Sequence, residues 1–155
     1  IVILDQITKY LVKSSMSIDD DPINIIGDFF KLTYVENSGM AFGINLGNPF
    51  LFQVLTIIAV LVVIYYLFQS LKEDHLLMSI ALVLILGGAI GNLIDRILYG
   101  KVVDFLDFEF FNIPILNIER WYVFNIADSA ITCGMILIGI NVFFIKEKPK
   151  EEIAK

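Results

Sequence analysis

Three apolar runs of similar length constrain the fold more than any other feature of the sequence. They cover residues 50–68, 76–94 and 121–145, and Asp128 is the one charged residue that they contain. A helix of about 19 residues rises roughly 28 Å, which is close to the thickness of the hydrocarbon core of a bilayer. The three runs therefore predict helices that cross a membrane.

Composition agrees with a membrane protein, because 57% of the residues are hydrophobic and only 18% are charged, with a mean hydropathy of +0.79. A fourth apolar run at residues 1–16 is interrupted by Asp5 and Lys9, which lie one helical turn apart. No initiator Met precedes this run, so we expect the numbered chain to lack the start of its first helix and not to carry a cleavable signal peptide.

No linker or internal repeat divides the 155 residues, so we predict a single domain, 1–155. The predicted class is mainly α and integral to the membrane, with four transmembrane helices at about 1–16, 50–70, 76–97 and 121–145. Two outer segments, 17–49 and 98–120, complete the chain.

The distribution of lysine predicts the orientation. Segments 69–76 and 146–155 together hold five lysines, whereas segments 14–49 and 97–120 hold Lys31, Lys101 and Arg120. By the positive-inside rule, both termini are expected in the cytoplasm and both longer loops outside. The net charge of −6 comes from the outer loops and argues against nucleic acid as a partner.

The outer segments indicate a small sheet. Residues 29–35 are aromatic and β-branched, and Asn37-Ser38-Gly39 follows as a turn. Residues 105–111 alternate Phe with acidic residues, and we expect Phe105, Phe108 and Phe110 to dip into the membrane interface. The two pieces predict an extracytoplasmic sheet or cradle that shapes a groove open to lipid.

The predicted path brings the unusual polar residues to one place. The start of the second span, the end of the third and the start of the fourth all lie at the outer face. The residues expected in this cluster are Asn37, Asn92, Asp95, Arg96, Asp104, Asn125 and Asp128. Charged groups at membrane depth are costly, and such residues usually serve a function.

Helical spacing places Gly88, Asn92, Asp95 and Arg96 on one face of the third span. Gly87 and Gly91 form a small-xxx-small pair that lets another helix approach closely. The simpler interpretation is helix packing, with an Asp-Arg pair that ends the span at the interface.

Asn125 and Asp128 likewise share a face, near the start of the fourth span, where the helix dipole favours an anion. For Asp128 alone, the simpler interpretation is a charge at the headgroup level.

Two carboxylates brought close together favour an enzyme. Like charges at short range do not both ionise easily, so one member retains a proton while the other can activate water. Rival nucleophiles are scarce: we interpret Cys133 and His75 as structural. With neither His nor Cys at the outer face, we expect no transition-metal site and no cofactor, although a divalent ion bound by carboxylates stays open.

Four motifs in order carry a family resemblance. They are Asn37-Ser-Gly-Met-Ala-Phe42, Gly87-Gly-Ala-Ile-Gly-Asn-Leu-Ile-Asp-Arg96, Val102-Val-Asp-Phe105 and Phe124-Asn-Ile-Ala-Asp128. Together they closely resemble lipoprotein signal peptidase, also called signal peptidase II, over nearly the whole chain.

The resemblance implies that Asp104 and Asp128 are the catalytic pair. It also implies that Asn37, Asn92, Arg96 and Asn125 hold the substrate backbone or orient the pair. Gly88 and Asp95 belong to the same supporting group, and the pair Asp5 and Lys9 is mainly structural.

As a biological role, the resemblance implies a bacterial aspartic endopeptidase that cuts prolipoproteins just before a diacylglyceryl-modified Cys. We expect a monomeric multi-pass protein of the cytoplasmic (inner) membrane, with its active site at the extracytoplasmic face and contacts to membrane lipid. A small transporter and a purely structural membrane protein are the alternatives. The wholly apolar middle of the second span, 57–64, disfavours the first, and the four motifs disfavour the second.

Overall fold

The computed structural model describes residues 1–38, 40–41, 44–45, 49–109 and 122–144, and the chain is mainly helical. The helices are α1 (Val2–Ser15), α2 (Pro49–Lys72), α3 (Leu76–Tyr99) and α4 (Ile126–Phe144). The strands are β1 (Ile23–Ile26), β2 (Phe30–Asn37), β3 (Met40–Ala41), β4 (Ile44–Asn45) and β5 (Val102–Phe108).

In the part of the chain that the structure describes, three helices are long and apolar enough to cross a membrane, over Gln53–Lys72, Leu76–Tyr99 and Ile126–Phe144. They coincide with three of the predicted spans, and many of their large apolar side chains point outward, as expected for surfaces that face lipid. Helix α1 coincides with the fourth predicted span, but at 14 residues it is shorter than the other three. The fourth span therefore stays a prediction.

The start of α4 differs from the predicted start at residue 121. Phe124 forms an isolated antiparallel bridge with Leu106 of β5, so the chain there is extended. The helix begins only after Asn125, while Trp121 and residues 145–155 lie outside the described residues. The lysine-rich end used to predict the orientation is among these undescribed residues.

Contacts between helices establish their relative directions. Ile1 lies against Gly87 and Asp5 lies against Gly91, so α1 runs parallel to α3. This confirms the prediction that the small pair lets another helix approach closely. Helices α2 and α3 form a hairpin in which Ser70 and Ser79 are hydrogen-bonded through their Oγ atoms at 2.9 Å.

Strands β1, β2 and β5 form an antiparallel sheet in the order β1-β2-β5, and β3 pairs with β4 in a separate hairpin. The predicted small sheet is thus present. A register irregularity between Leu32 and Val35 separates two paired stretches of β2 and β5, and Val35 pairs with Asp104.

The expected position of the phenylalanines was partly wrong. Phe105 is buried and belongs to a core cluster with Val12, Met16, Tyr34 and Val103, so it seals the sheet against α1 and does not dip into the interface. Phe108 stacks on Phe30 with ring centroids 4.3 Å apart and also on Phe124. Phe110 lies outside the described residues.

Candidate active site

Asp104 lies in the middle of β5 and is only 3% exposed. Neighbouring strand β2 ends at Asn37, whose Nδ2 donates to Asp104 Oδ2 at 3.2 Å. Antiparallel pairing brings the two side chains together, since Asn37 pairs with Val102 and Val35 pairs with Asp104. The sheet therefore presents one carboxyl group with an amide donor beside it.

Asp128 lies in the first turn of α4 and forms a reciprocal cap with Asn125. The backbone N–H of Asp128 donates to Asn125 Oδ1 at 2.9 Å, and the backbone N–H of Asn125 donates to Asp128 Oδ2 at 3.3 Å. This arrangement is a capping box with Asn and Asp as its two members. It fixes the start of α4 and the position of the Asp128 carboxylate together.

Asn125 connects the two carboxyl groups. It is fully buried, and its Nδ2 donates to Asp104 Oδ1 at 2.7 Å while also lying 3.0 Å from Asn92 Oδ1. Since Asn125 also caps α4, one residue contacts both the strand carboxyl and the helix carboxyl. The sequence prediction that these groups form one cluster is borne out in their placement.

Asn92 reaches the same cluster from α3. Its Nδ2 donates to Asp128 Oδ1 at 2.7 Å. One turn earlier, Gly88 packs against the start of α4, where an added Cβ would collide with the carbonyl oxygen of Ala127 and lie 2.7 Å from Ile131 Cγ1. Only a residue without a side chain permits this approach, and the approach is what lets Asn92 reach Asp128.

Helix α1 brings a second set of buried polar groups to the cluster. The Lys9 ammonium lies 2.8 Å from Asp5 Oδ2 and 2.9 Å from Asp95 Oδ2. Asp5 Oδ1 accepts the backbone N–H of Ala127 at 3.0 Å, so this carboxylate from α1 helps to cap α4. Asp95 thus forms an ion pair with α1, which the simpler expectation of a local Asp-Arg pair did not include.

Arg96 lies close enough to the acidic groups for its charge to act on Asp128, Asp104 and Asp95. The structure therefore places every proposed site residue of the sequence analysis in one connected region. That region joins the first half of α1, the second half of α3, the sheet and the start of α4.

Sequence reasoning missed Gln6. Its Nε2 donates to Asp95 Oδ1 at 2.9 Å and to the carbonyl oxygen of Gly91 at 3.2 Å. The available signal was its position next to Asp5 and three residues before Lys9, which places the three polar residues on one side of α1.

A second group that was missed lies beside the sheet. Glu36 accepts hydrogen bonds from Tyr34 at 3.0 Å and from Lys101 at 2.9 Å. The hydrogen bond from Lys101 lowers the pKa of Glu36, and burial raises the pKa of Tyr34 to about 12. These groups hold β2 to the segment that leads into β5.

Burial dominates the electrostatics of Asp104. Burial and, to a smaller extent, the nearby charge of Asp128 raise the pKa of this carboxyl from 3.8 to about 7, although the hydrogen bonds from Asn37 and Asn125 oppose the change. Asp104 therefore exchanges its proton near neutral pH.

Two other reactive side chains lie elsewhere. Cys133 is exposed on α4, and His75 lies in the turn between α2 and α3, 3.3 Å from Glu73. Within the described ranges, no group of three or more His, Cys, Asp or Glu side chains is arranged to hold a metal ion.

Comparison with known proteins gives a consistent family. The sequence model of Signal peptidase (SPase) II matches residues 1–144. The chain is 42% identical to a lipoprotein signal peptidase of Pelodictyon phaeoclathratiforme, over 96% of this chain and 90% of that protein. It is 46% identical to a lipoprotein signal peptidase of Caldanaerobacter subterraneus, over 93% of this chain and 91% of that protein.

A solved structure described as a bacterial membrane enzyme superimposes with a TM-score of 0.76 and 38% identity, over 96% of this chain and 88% of that one. The family match, the relatives and the fold agree: the chain belongs to the signal peptidase II family of membrane peptidases.

Proposed function

We propose that this peptidase removes the signal peptide from diacylglyceryl-modified bacterial prolipoproteins, with Asp104 and Asp128 as its catalytic pair. The observation that carries the proposal is the position of Asn125, which donates hydrogen bonds to both carboxyl groups. A shared buried donor holds the two groups at one place, as a reaction with one general acid and one general base requires.

The pair acts in two opposite protonation states. Asp104 is the more deeply buried member, and its pKa of about 7 leaves it largely protonated just below neutral pH. Asp128 accepts 2.7 Å and 3.3 Å hydrogen bonds and lies at the positive end of a helix, which supports the ionised form. We therefore assign the resting proton to Asp104.

In the reaction, ionised Asp128 removes a proton from water while the water oxygen bonds to the carbonyl carbon of the residue before the lipid-bearing Cys. Asp104 gives its proton as the C–N bond breaks, and the leaving nitrogen becomes the amine of the lipidated Cys. The products are that amine and the new carboxyl end of the signal peptide, and the pair has exchanged its protonation states.

The remaining site residues have supporting roles in this proposal. Asn37 and Asn125 orient Asp104, Asn92 orients Asp128, and the positive charge of Arg96 stabilises the negative oxygen that develops on the scissile carbonyl. Gly88 positions α3 through its close contact with α4, and Asp95 does so through its ion pair with Lys9.

The proposed setting is a single domain, 1–155, in the bacterial cytoplasmic membrane. Four spans with both termini in the cytoplasm place the site at the extracytoplasmic face, where the scissile bond of a membrane-inserted signal peptide also lies. The parallel direction of α1 and α3 supports this path, because both helices then run toward the same face. The exposed apolar sides of the helices suit lateral entry of the diacylglyceryl chains, and the proposed enzyme acts as a monomer.

Cleavage of a diacylglyceryl-modified prolipoprotein in detergent tests the proposal. Asp104→Asn and Asp128→Asn are each expected to abolish cleavage while retaining helicity and cooperative thermal unfolding. Asp107→Asn is the matched control, since Asp107 is a buried acid of the same strand that bonds to Thr33 Oγ1 at 2.7 Å. Near-normal cleavage by either of the first two variants would refute the catalytic pair.

A further inference from the structure

Lys9 is a buried ammonium group that the proposed reaction does not use. It is 3% exposed, and all three of its N–H donors have acceptors: Asp5 Oδ2 at 2.8 Å, Asp95 Oδ2 at 2.9 Å and Asn92 Oδ1 at 2.9 Å. The first two contacts are ion pairs of the kind that often contribute little net stability when buried. The third contact leads directly to the site.

The contact with Asn92 decides which way its side-chain amide points. Asn92 Oδ1 accepts from Lys9 and from Asn125, so Asn92 Nδ2 points at Asp128 Oδ1, 2.7 Å away. If the amide turned over, its N–H groups would face an ammonium and another amide donor, and its oxygen would face a carboxylate. A positive charge on the oxygen side opposes that reversal far more strongly than Asn125 does alone.

We propose that Lys9 is a positioning residue for the catalytic pair: its ammonium locks the Asn92 amide so that an N–H always points at Asp128. The inference rests on the proposed function, because it assigns Lys9 a part in that reaction. It also changes the expectation that Asp5 and Lys9 form a mainly structural pair. A lysine in the first helix then acts on a carboxylate in the fourth through a single asparagine.

The charge of Lys9 also acts on the wider site. It lowers the pKa of Asp104, against the larger effect of burial. The charged and titratable groups that surround it come from every element packed there, namely Asp5 of α1, Asp95 and Arg96 of α3, Asp104 of β5 and Asp128 of α4. Asp104 must keep its proton to act as the acid, so removal of the ammonium should move the alkaline limb of the pH profile of kcat to higher pH.

The test separates positioning from stability. Lys9→Met alone leaves Asp5 and Asp95 without their ion-pair partner, so the informative variant is Lys9→Met combined with Asp95→Asn, which keeps the charge of this group at −1. Asp95→Asn alone shows the effect of the second substitution. Lys13→Met is the matched control, since Lys13 lies one turn further along α1 over the ring of Tyr99, 3.9 Å from its centroid.

With the diacylglyceryl-modified prolipoprotein as substrate, we expect the double variant to unfold near the wild-type temperature. Relative to Asp95→Asn, its kcat should fall at least tenfold with KM changed less than threefold, and the alkaline limb of its pH profile should move to higher pH. Lys13→Met should match the wild type. A double variant with the kcat and pH profile of Asp95→Asn would overturn the proposal. So would failure of the double variant to fold, because Lys9 would then be a packing residue. Absence of cleavage by the wild type itself would instead refute the proposed function.

Discussion

Replacement of Asp104 by Asn should change how the stability of the protein depends on pH. Burial and the neighbouring Asp128 raise the pKa of Asp104 from 3.8 to about 7 in the folded state. A carboxyl whose pKa is raised by folding binds more protons in the folded than in the unfolded chain between these two values. Its contribution is therefore fully present below about pH 4 and is lost as pH rises through about 7.

The size of the effect follows from the same numbers. A difference of about 3 pH units corresponds to roughly 4 kcal/mol of unfolding free energy, since each unit is worth about 1.4 kcal/mol. About 1.5 kcal/mol of that is already lost at pH 5, so roughly 2.5 kcal/mol remains to be lost between pH 5 and pH 8.5. Asn is neutral at every pH, so the Asp104→Asn variant does not undergo this loss of unfolding free energy. Its stability relative to the wild type therefore increases as the pH rises.

Thermal unfolding of both proteins in the same detergent at pH 5 and pH 8.5 measures the effect. The difference in unfolding temperature, variant minus wild type, should be larger at pH 8.5 by about 5–10 °C for a chain of this size. Other titrating groups are common to both proteins and largely cancel in the difference. An equal difference at the two pH values would show that Asp104 does not titrate in this range, and a smaller one at pH 8.5 would show that the fold favours its ionised form.

Three further substitutions test the supports of the site. Asn125→Ala removes the side-chain donor to Asp104 and the side-chain acceptor that caps the Asp128 N–H, while the backbone donor to Asp128 remains. It should lower kcat by about 100-fold, because such a donor and such a cap are worth roughly 1.5–3 and about 1 kcal/mol; a loss below tenfold would contradict the connecting role. Gly88→Val should destabilise the protein by about 1–3 kcal/mol, since its side chain meets Ala127 and Ile131, whereas Gly139→Ala, which meets nothing within 4 Å, should not destabilise it. Asp5→Ala should lower the free energy of unfolding by about 3–5 kcal/mol, because it leaves Lys9 with one carboxylate and removes the acceptor for the Ala127 N–H. Thermal unfolding measures this loss, and an unchanged unfolding temperature would argue against the buried pair.

The sequence predicted the helices well because membrane spans depend on local composition. Runs 50–68 and 76–94 lie inside α2 and α3, since a long apolar stretch has one stable solution in lipid. The start of α4 was placed too early because Trp121 to Phe124 are as apolar as the helix that follows. Asn125 and Asp128, at the spacing of a capping box, were the better signal for that start.

The position of Phe105 was harder to predict because strand residues alternate between two faces. A shift of one residue in the assumed phase moves every side chain to the opposite face. In the structure, Phe105 shares the core with Val103, whereas Asp104 between them faces the cluster. The alternation of Phe and acid in the sequence showed that two faces exist, but it did not show which one α1 covers.

The convergence of the polar residues was predictable from topology, whereas the contribution of α1 was not. Alternating spans place the end of α3 and the start of α4 at the same face of the membrane, whatever the details of packing. The height and rotation of α1 depend on its contact with Gly87 and Gly91, which the sequence indicated without naming the partner helix. For that reason Asp5 and Lys9 were interpreted as a local pair.

The contacts of the first turn of α4 explain why α1 retains the buried charged residues Asp5 and Lys9 in a fold that faces lipid. That turn carries Asp128, and its N–H groups are supported by two different elements, through Asn125 beside β5 and through Asp5 of α1. The cap by Asn125 is local to α4, whereas Asp5 reaches the Ala127 N–H only once α1 has packed. Since the Asp128 carboxylate also accepts a hydrogen bond from Asn92 of α3, the full set of contacts around this turn forms only when α1, α3 and α4 have assembled. It follows that substitutions in α1 far from the scissile bond should affect catalysis through the start of α4, and that the buried ion pairs serve geometry more than stability.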